Sequence, residues 1–223
     1  MVPQIGRSPT PFWYLITPDG SDDSLWRTQV AAALAARPNW VQYRNKKAEP
    51  ALARRQAEWL CTEATALGVT VVINDDWELA AALGVGVHLG RNDAPVALVR
   101  ARLGEQTLIG ASCYADFALA KRQVAEGASY IAFGAVFPSP TKPDAVRAPL
   151  ALFGEAAALG LPRVAIGGIT LERVPELIAA GADGVAVIHD LFGLLDPEAV
   201  AARAAAWRAM FDRLTQGVAD DRE

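Results

Sequence analysis

Polar side chains suited to binding an anion stand together directly after a short apolar run. Gln42, Arg44 and Lys46 alternate there with Tyr43 and Asn45. An arginine offers a planar fork to a phosphate-like group and a lysine offers a point charge, so the segment suits an anionic ligand. A solvated basic turn is the alternative, and the segment alone does not decide between the two.

Two aspartates, Asp75 and Asp93, follow two further apolar runs, and Asn74 precedes the first of them. Carboxylates beside cations suggest a hard-cation site, because Mg²⁺ usually takes one or two carboxylates together with phosphate oxygens and waters. Each aspartate also precedes a helix-like segment. A helix N-cap is therefore the alternative at both positions.

Features typical of phosphate sites occur later in the chain. The stretch FPSPTKPD at residues 137–144 holds two hydroxyls and Lys142 between prolines, and it exceeds the usual connection of about 2 to 6 residues. This composition and length predict that the loop is a phosphate clamp or a lid over the site. Gly167 and Gly168 precede Thr170, the expected N-cap of a helix, and such a glycine pair lets backbone N–H groups approach a phosphate.

Eight short apolar runs alternate with Ala-rich segments of helical period. The predicted strands are residues 12–17, 40–44, 70–74, 85–88, 107–112, 129–134, 163–166 and 183–187. The predicted helices are residues 24–36, 50–67, 77–83, 94–103, 116–126, 149–159, 171–180 and 197–214. Eight strand–helix units in 223 residues, with no long linker, favour a closed barrel over an open doubly wound sheet.

We therefore predict an α/β fold made of a single (β/α)₈ TIM barrel over residues 1–215, followed by a polar C-terminal tail over residues 216–223. Barrel active sites lie at the C-terminal ends of the strands, and phosphate often binds after strands seven and eight. The polar residues named above follow strand-like runs. Ile188 and His189, after the eighth run, would complete the phosphate site.

Composition excludes several classes of protein. The net charge of −4 argues against a nucleic-acid partner, and no apolar run approaches the roughly 20 residues that span a membrane. The first 11 residues lack a signal-type apolar core. Cys61 and Cys113 are too few for a disulfide framework, and reduced thiols suit a cytoplasmic location. The oligomeric state, including a homo-oligomer, is left open.

The motifs together resemble the thiamine phosphate synthase family over nearly the whole chain. The stretches that carry the resemblance are VQYRNK at 41–46, INDD at 73–76, GVHLGRND at 86–93, GAS at 110–112, FPSPTKPDA at 137–145, AIGGI at 165–169 and GADGVAVI at 181–188. Each stretch is modest alone. Seven such stretches in the family's order make the resemblance specific.

The resemblance implies a Mg²⁺-dependent transferase that joins a pyrimidine pyrophosphate to a thiazole phosphate. The implied substrate-binding residues are Gln42, Tyr43, Arg44, Asn45, Lys46, Asn74, Ser112, Ser139, Pro140, Thr141, Lys142, Gly168, Ile188 and His189. Among these, the implied catalytic residues are Arg44, Lys46, Ser112 and Lys142. Asp75 and Asp93 would ligate Mg²⁺. Both substrates are small molecules.

Charge supports the implied site. Arg44, Lys46 and Lys142 with one Mg²⁺ exceed the two carboxylates by three positive charges. A pyrophosphate monoester carries about −2 to −3 near neutral pH, given a second phosphate pKa near 6. The implied reaction attacks through a nitrogen lone pair and needs no general base, which agrees with the absence of a nucleophile–His–acid constellation.

Three positions depart from the common family pattern. Tyr114 stands where the family often has His, Ser139 where it has Thr, and His189 where it has a small Ser. His189 would serve through its backbone N–H or through a protonated ring, and the sequence leaves both open. A thiazole tautomerase-like isomerase and a non-catalytic binding homologue are the alternatives. The tautomerase group lacks the paired aspartates and the full set of cations, and the same intact set argues against the binding homologue.

Overall fold

Eight parallel strands close into a barrel in the computed structural model, which describes residues 10–138 and 146–220. The strands are β1 (Phe12–Ile16), β2 (Trp40–Tyr43), β3 (Thr70–Asn74), β4 (Gly86–Leu89), β5 (Ile109–Tyr114), β6 (Tyr130–Phe133), β7 (Arg163–Ile166) and β8 (Gly184–Val187). Each strand pairs with the next, and β1 pairs with β8. The predicted TIM barrel is confirmed.

Helices cover the outside of the barrel. In the described residues they are α1 (Asp23–Leu34), α2 (Pro50–Ala66), α3 (Trp77–Leu83), α4 (Val96–Leu103), α5 (Phe117–Ala125), α6 (Ala151–Glu155), α7 (Val174–Ala179), α8 (His189–Phe192) and α9 (Pro197–Asp220). Short 3₁₀ segments, Ala156–Leu159 and Leu171–Arg173, follow α6 and precede α7. No helix in the described part of the chain is long and apolar enough to span a membrane.

Alternation along each strand divides the apolar side chains into two cores. Trp13 and Leu15 of β1 belong to the large core that β-strands share with the helices. Phe12, Tyr14 and Ile16 face the barrel interior and pack with inward residues of the other strands. Two layers of packing therefore fix the strand ends, where the candidate site lies.

Three details differ from the sequence-based expectations. The four-residue helix α8 was not predicted, because it is too short to show a period. The last helix continues to Asp220 instead of ending at residue 214, so helix occupies part of the predicted polar tail; a polar segment can remain helical when it faces solvent. Thr170 stands at the N-cap position, but its side chain makes no capping hydrogen bond.

Candidate active site at the C-terminal mouth of the barrel

Two cations and a carboxylate meet where β2 ends. We call this end of the barrel, formed by the C-terminal ends of the strands, the mouth. The Arg44 guanidinium lies 3.1 Å from Asp19 Oδ1, and the Lys46 backbone N–H donates to the same oxygen at 2.8 Å. Asp19 is not among the residues predicted from the sequence. It follows β1, so the rule that polar residues after barrel strands are functional could have found it.

The predicted carboxylates lie next to each other at the mouth. Lys46 Nζ is 3.4 Å from Asp75 Oδ2. Burial of the Asp75 carboxyl and its hydrogen bond with Asp93 raise its pKa, while the charge of Lys46 opposes that shift. Asp75 has a φ of +66°, a left-handed conformation that aspartate tolerates better than most residues.

Neither predicted carboxylate is a helix cap. Asp76 Oδ1 accepts the Leu79 N–H and caps α3, and α4 begins after Pro95. Asp93 Oδ2 instead accepts the Gly90 N–H at 2.6 Å. The N-cap alternative is therefore wrong for Asp75 and Asp93. Their two carboxyl groups instead lie next to each other at the mouth.

Strand β5 ends in an irregularity that redirects Tyr114. The register with β6 shifts between Ser112 and Tyr114, and Tyr114 has a φ of +55°. The Tyr114 hydroxyl accepts the Arg91 N–H at 3.2 Å, and the Arg91 guanidinium lies 4.6 Å from the ring centroid. Tyr114 therefore supports the loop that carries Asp93.

Gly168 is required by close packing between two loops. Its φ is +64°, and a Cβ there would lie 2.5 Å from the Phe137 carbonyl oxygen and closer still to that of Pro138. Among the described residues, the Gly168 and Ile169 N–H groups make no hydrogen bond. A role of these groups in binding phosphate stays a prediction.

The start of α8 lies beside this loop. Asp190 Oδ2 accepts the Leu171 N–H at 3.3 Å and also bonds Arg203 and Trp207, so the segments after β7 and β8 are tied together. The His189 ring lies against Gly193, where a Cβ would be 2.8 Å from its Cε1. Whether His189 would act through its backbone N–H or through its ring stays a prediction.

The side chains of two residues predicted to bind substrate have partners within the protein. Tyr43 is buried outside the barrel, where its hydroxyl donates to Gln56 Oε1 at 3.1 Å, so it does not face the mouth. The Asn45 amide donates to the Gly20 carbonyl and accepts the Gly20 N–H, so it orders the loop after β1. Because side chains alternate along a strand, those of Tyr43 and Gln42 lie on different faces of β2. The amide of Asn45 is hydrogen-bonded to the loop after β1.

The remaining predicted residues fall into two groups. Three of them occupy inward positions: Gln42, Asn74 and Ser112. Gln42 pairs with Val72 and Ser112 with Ala132, both members of the interior core, and Asn74 lies on the same face of β3 as Val72. Ser139, Pro140, Thr141 and Lys142 lie outside the described residues. Their roles stay predictions.

The donor set at the mouth fits Mg²⁺ better than a metal held by the protein alone. Within residues 10–138 and 146–217, no three His, Cys, Asp or Glu side chains form a metal cluster. Two neighbouring carboxylates with substrate oxygens and water suit Mg²⁺. Arg44 and Lys46 with the three aspartates carry one net negative charge, which a divalent cation would reverse.

A closed parallel barrel with cations and paired carboxylates at the C-terminal ends of its strands has the architecture of the (β/α)₈-barrel enzymes. The family model for thiamine monophosphate synthase matches residues 13–191. The chain belongs to that family.

Individual relatives agree with this membership. The chain is 50% identical over 200 residues to the thiamine-phosphate synthase of Azoarcus sp. (strain BH72), covering 89% of this chain and 96% of the relative. It is 49% identical to that of Chromobacterium violaceum, covering 87% and 94%. The solved structure of a thiamine phosphate pyrophosphorylase from Pyrococcus furiosus superposes with a TM-score of 0.78 at 26% identity, covering 91% of this chain and 96% of that one.

Proposed function

We propose that this chain catalyses the thiamine-phosphate synthase reaction. In that reaction, 4-amino-2-methyl-5-hydroxymethylpyrimidine pyrophosphate and hydroxyethylthiazole phosphate give thiamine phosphate and pyrophosphate. The observation that carries the proposal is the convergence of Lys46, Asp75 and Asp93 beside Arg44 at the mouth. Relatives about half identical over almost their full length support it.

Arg44 and Lys46 are proposed to hold the pyrophosphate. One nitrogen of Arg44 bonds Asp19, which leaves the rest of the fork for phosphoryl oxygens. The Lys46 side chain is 56% exposed and can reach a ligand from its pairing with Asp75. Gln42, Asn74 and Ser112 would also hold the pyrimidine pyrophosphate, and Lys142 would add a third cation.

Asp75 and Asp93 are proposed to hold Mg²⁺. When bound, the ion would neutralise charge that develops on the departing pyrophosphate. The support is electrostatic: the raised pKa of Asp75 reflects burial and a neighbouring carboxylate, a combination that a cation relieves. Asp19 adds a further negative charge beside Arg44, which strengthens the need for the ion.

The chemistry is a dissociative substitution. The bond between the pyrimidine methylene carbon and the pyrophosphate oxygen breaks, and its electron pair leaves with pyrophosphate. The thiazole nitrogen then donates its lone pair to the carbocation and forms the new C–N bond. No proton is removed in this step, so the residues at the mouth act by stabilising the leaving charge and positioning the second substrate.

The thiazole phosphate is proposed to bind between the segments after β7 and β8. Backbone N–H groups of Gly168, Ile188 and His189 would donate to its oxygens. The support is the hydrogen bond that ties the two segments through Asp190. Ser139, Pro140 and Thr141 would close the site from the loop after β6.

We also propose that the protein acts in the cytoplasm on small molecules, without a nucleic-acid or membrane partner. Both cysteines are free thiols, and burial raises the pKa of Cys61 to about 11 and of Cys113 to about 12. Thiols of this kind persist in a reducing compartment.

The deciding experiment measures pyrophosphate and thiamine phosphate formation with both substrates, with and without EDTA. Production of both products, abolished by EDTA and restored by Mg²⁺, is expected. An isomerase would convert its thiazole substrate without releasing pyrophosphate, and a binding protein would bind without turnover. Full activity in EDTA would refute the role of Mg²⁺, and no pyrophosphate release would refute the proposed reaction.

A further inference from the structure

A continuous row of polar side chains crosses the barrel interior beneath the mouth. We call this row the polar chain; its members, in order, are Gln42, Tyr14, Tyr130, His88 and Ser112. Gln42 Nε2 donates to the Tyr14 hydroxyl at 2.9 Å, and the two phenol oxygens lie 2.9 Å apart. The Tyr130 oxygen is 3.0 Å from His88 Nδ1, and His88 Nε2 is 2.8 Å from Ser112 Oγ.

The three central groups of the polar chain are enclosed and electrically neutral. Tyr14 and Tyr130 are no more than 1% exposed, and His88 is 8% exposed. Burial raises the pKa of both phenols, and the nitrogens of the enclosed His88 ring face the Tyr130 phenol and the Ser112 hydroxyl. Gly110 makes room for this arrangement, because a Cβ there would overlap the Tyr130 ring. Near neutral pH, each central group therefore carries one proton to share.

Neutrality fixes a single direction along the polar chain. A neutral phenol that accepts one hydrogen bond donates its only proton to the next group, and a neutral imidazole donates from one nitrogen and accepts at the other. Gln42 donates to Tyr14 at the start, and the two phenol oxygens and His88 Nδ1 lie within hydrogen-bond distance of their neighbours. The arrangement that leaves no buried hydroxyl proton unbonded has Tyr14 donate to Tyr130, and Tyr130 donate to His88 Nδ1. His88 must then donate from Nε2 to Ser112, whose own proton remains free for a ligand.

We propose that the polar chain makes the Ser112 hydroxyl a hydrogen-bond donor to the pyrimidine pyrophosphate, with Tyr14, Tyr130 and His88 as positioning residues. The inference rests on the proposed function for the identity of that ligand. His88 does not touch reacting atoms and transfers no proton. It holds Ser112 from behind in the orientation that complements an acceptor atom of the substrate.

Nuclear magnetic resonance tests the direction of the polar chain without any substrate. The protein contains two histidines, His88 and His189, so ¹⁵N-labelled histidine gives two sets of imidazole signals, which His189→Gln assigns. At pH 7, His88 is expected as the neutral tautomer with its proton on Nε2. Tyr130→Phe removes the donor to Nδ1, and a mixture of tautomers should then appear. A proton on Nδ1 in the parent chain would overturn the proposal.

A double-mutant cycle tests the coupling to the ligand. Tyr130→Phe should raise the KM for the pyrimidine pyrophosphate about 5- to 10-fold, the scale of one hydrogen bond. The same substitution in a Ser112→Ala background should change that KM by less than about twofold, since the terminal donor is already gone. The KM for the thiazole phosphate should stay constant throughout. Equal effects in both backgrounds would refute the coupling.

Thr107→Val is the control for this cycle. Thr107 Oγ1 also donates one hydrogen bond, to the Leu103 carbonyl at 2.8 Å, but it lies just before β5, at the end of the barrel away from the mouth. Its loss should lower stability without changing either KM. If the parent chain made no thiamine phosphate, the proposed function would fail, while the tautomer measurement would still decide whether the polar chain is directional.

Discussion

Asp75 and Asp76 are adjacent, yet only Asp76 serves the local fold. Asp76 caps α3 by accepting the Leu79 N–H at 2.9 Å, whereas Asp75 pairs with Lys46 at the mouth. We expect Asp75→Ala to lower kcat by at least about 10²-fold, the usual scale for losing one electrostatic stabiliser. Steady-state assays at saturating Mg²⁺ measure the loss, and circular dichroism should report an intact fold.

Asp76→Asn is the control for that substitution, because asparagine caps helices about as well as aspartate. Its kcat should remain within about twofold of the parent value. Equal losses in the two variants, or an unfolded Asp75→Ala protein, would contradict the assignment of Asp75 to the reaction.

The Tyr114 hydroxyl bonds a loop, so we expect it to act through loop geometry rather than proton transfer. Its hydroxyl accepts the Arg91 N–H in the loop that ends at Asp93. Tyr114→Phe deletes one hydrogen bond of about 0.5–1.5 kcal/mol, so kcat/KM should fall less than about tenfold. The loss should appear chiefly as a weaker apparent affinity for Mg²⁺ in a titration of activity.

Tyr114→Ala also removes the ring beneath the Arg91 guanidinium and should cost more than Tyr114→Phe. A drop of about a thousandfold in Tyr114→Phe, far beyond one hydrogen bond, would assign the phenol a chemical role if the fold were intact.

The segments after β6 and β7 depend on Gly168 for their contact. Gly168→Ala would place a methyl group against the carbonyl oxygens of Phe137 and Pro138, so we expect the KM for the thiazole phosphate to rise by about tenfold or more. Gly160→Ala is the control. Gly160 has a similar φ of +74° with nothing within 4 Å of the added Cβ, so it shares only the backbone strain of about 1 kcal/mol. Similar KM values in both variants would contradict a role for the contact.

The positions of the strands were predictable because parallel barrel strands are short, apolar and followed by polar residues. The predicted and observed bounds of β3 and β7 coincide, and other strands differ by one or two residues. Placement of Asp75 and Asp93 at one mouth followed from this topology. The same reasoning brought Gly168 to the correct loop.

Contacts between distant strands could not be predicted in the same way. Tyr14, Tyr130 and His88 lie in apolar runs on three strands, and nothing in their local spacing indicates that their polar atoms meet. Alternation does predict that Tyr43 faces away from Gln42. The substrate contact of Tyr43 is implied by the family resemblance alone and stays a prediction.

At the scale of the whole barrel, stability and catalysis are assigned to opposite ends. Arg163 and Asp183, at the starts of β7 and β8, form a nearly buried pair with contacts of 2.7 and 3.0 Å. Asp183→Ala leaves Arg163 without its partner and should lower the free energy of unfolding by about 3–5 kcal/mol. Urea denaturation measures this effect, while kcat at 25 °C should be unchanged.

Glu58→Ala provides the comparison, because it breaks the exposed pair of Arg54 and Glu58. Its free energy of unfolding should change by less than about 0.5 kcal/mol. A large loss of kcat in folded Asp183→Ala would show that the two ends of the barrel are coupled.

Closure of the barrel joins strands from nearly opposite ends of the folded chain. β1 pairs with β8, and the Phe12 N–H donates to the Asp183 carbonyl at 3.0 Å. On the ribosome, β1 therefore emerges long before its partner and keeps an unpaired edge while the other strands are synthesised. Such non-local pairing is slow. Because the mouth is formed by all eight strands, it does not exist until β8 has been translated and has docked against β1. A stalled nascent chain that stops before β8 should bind chaperones through that edge and bind neither substrate.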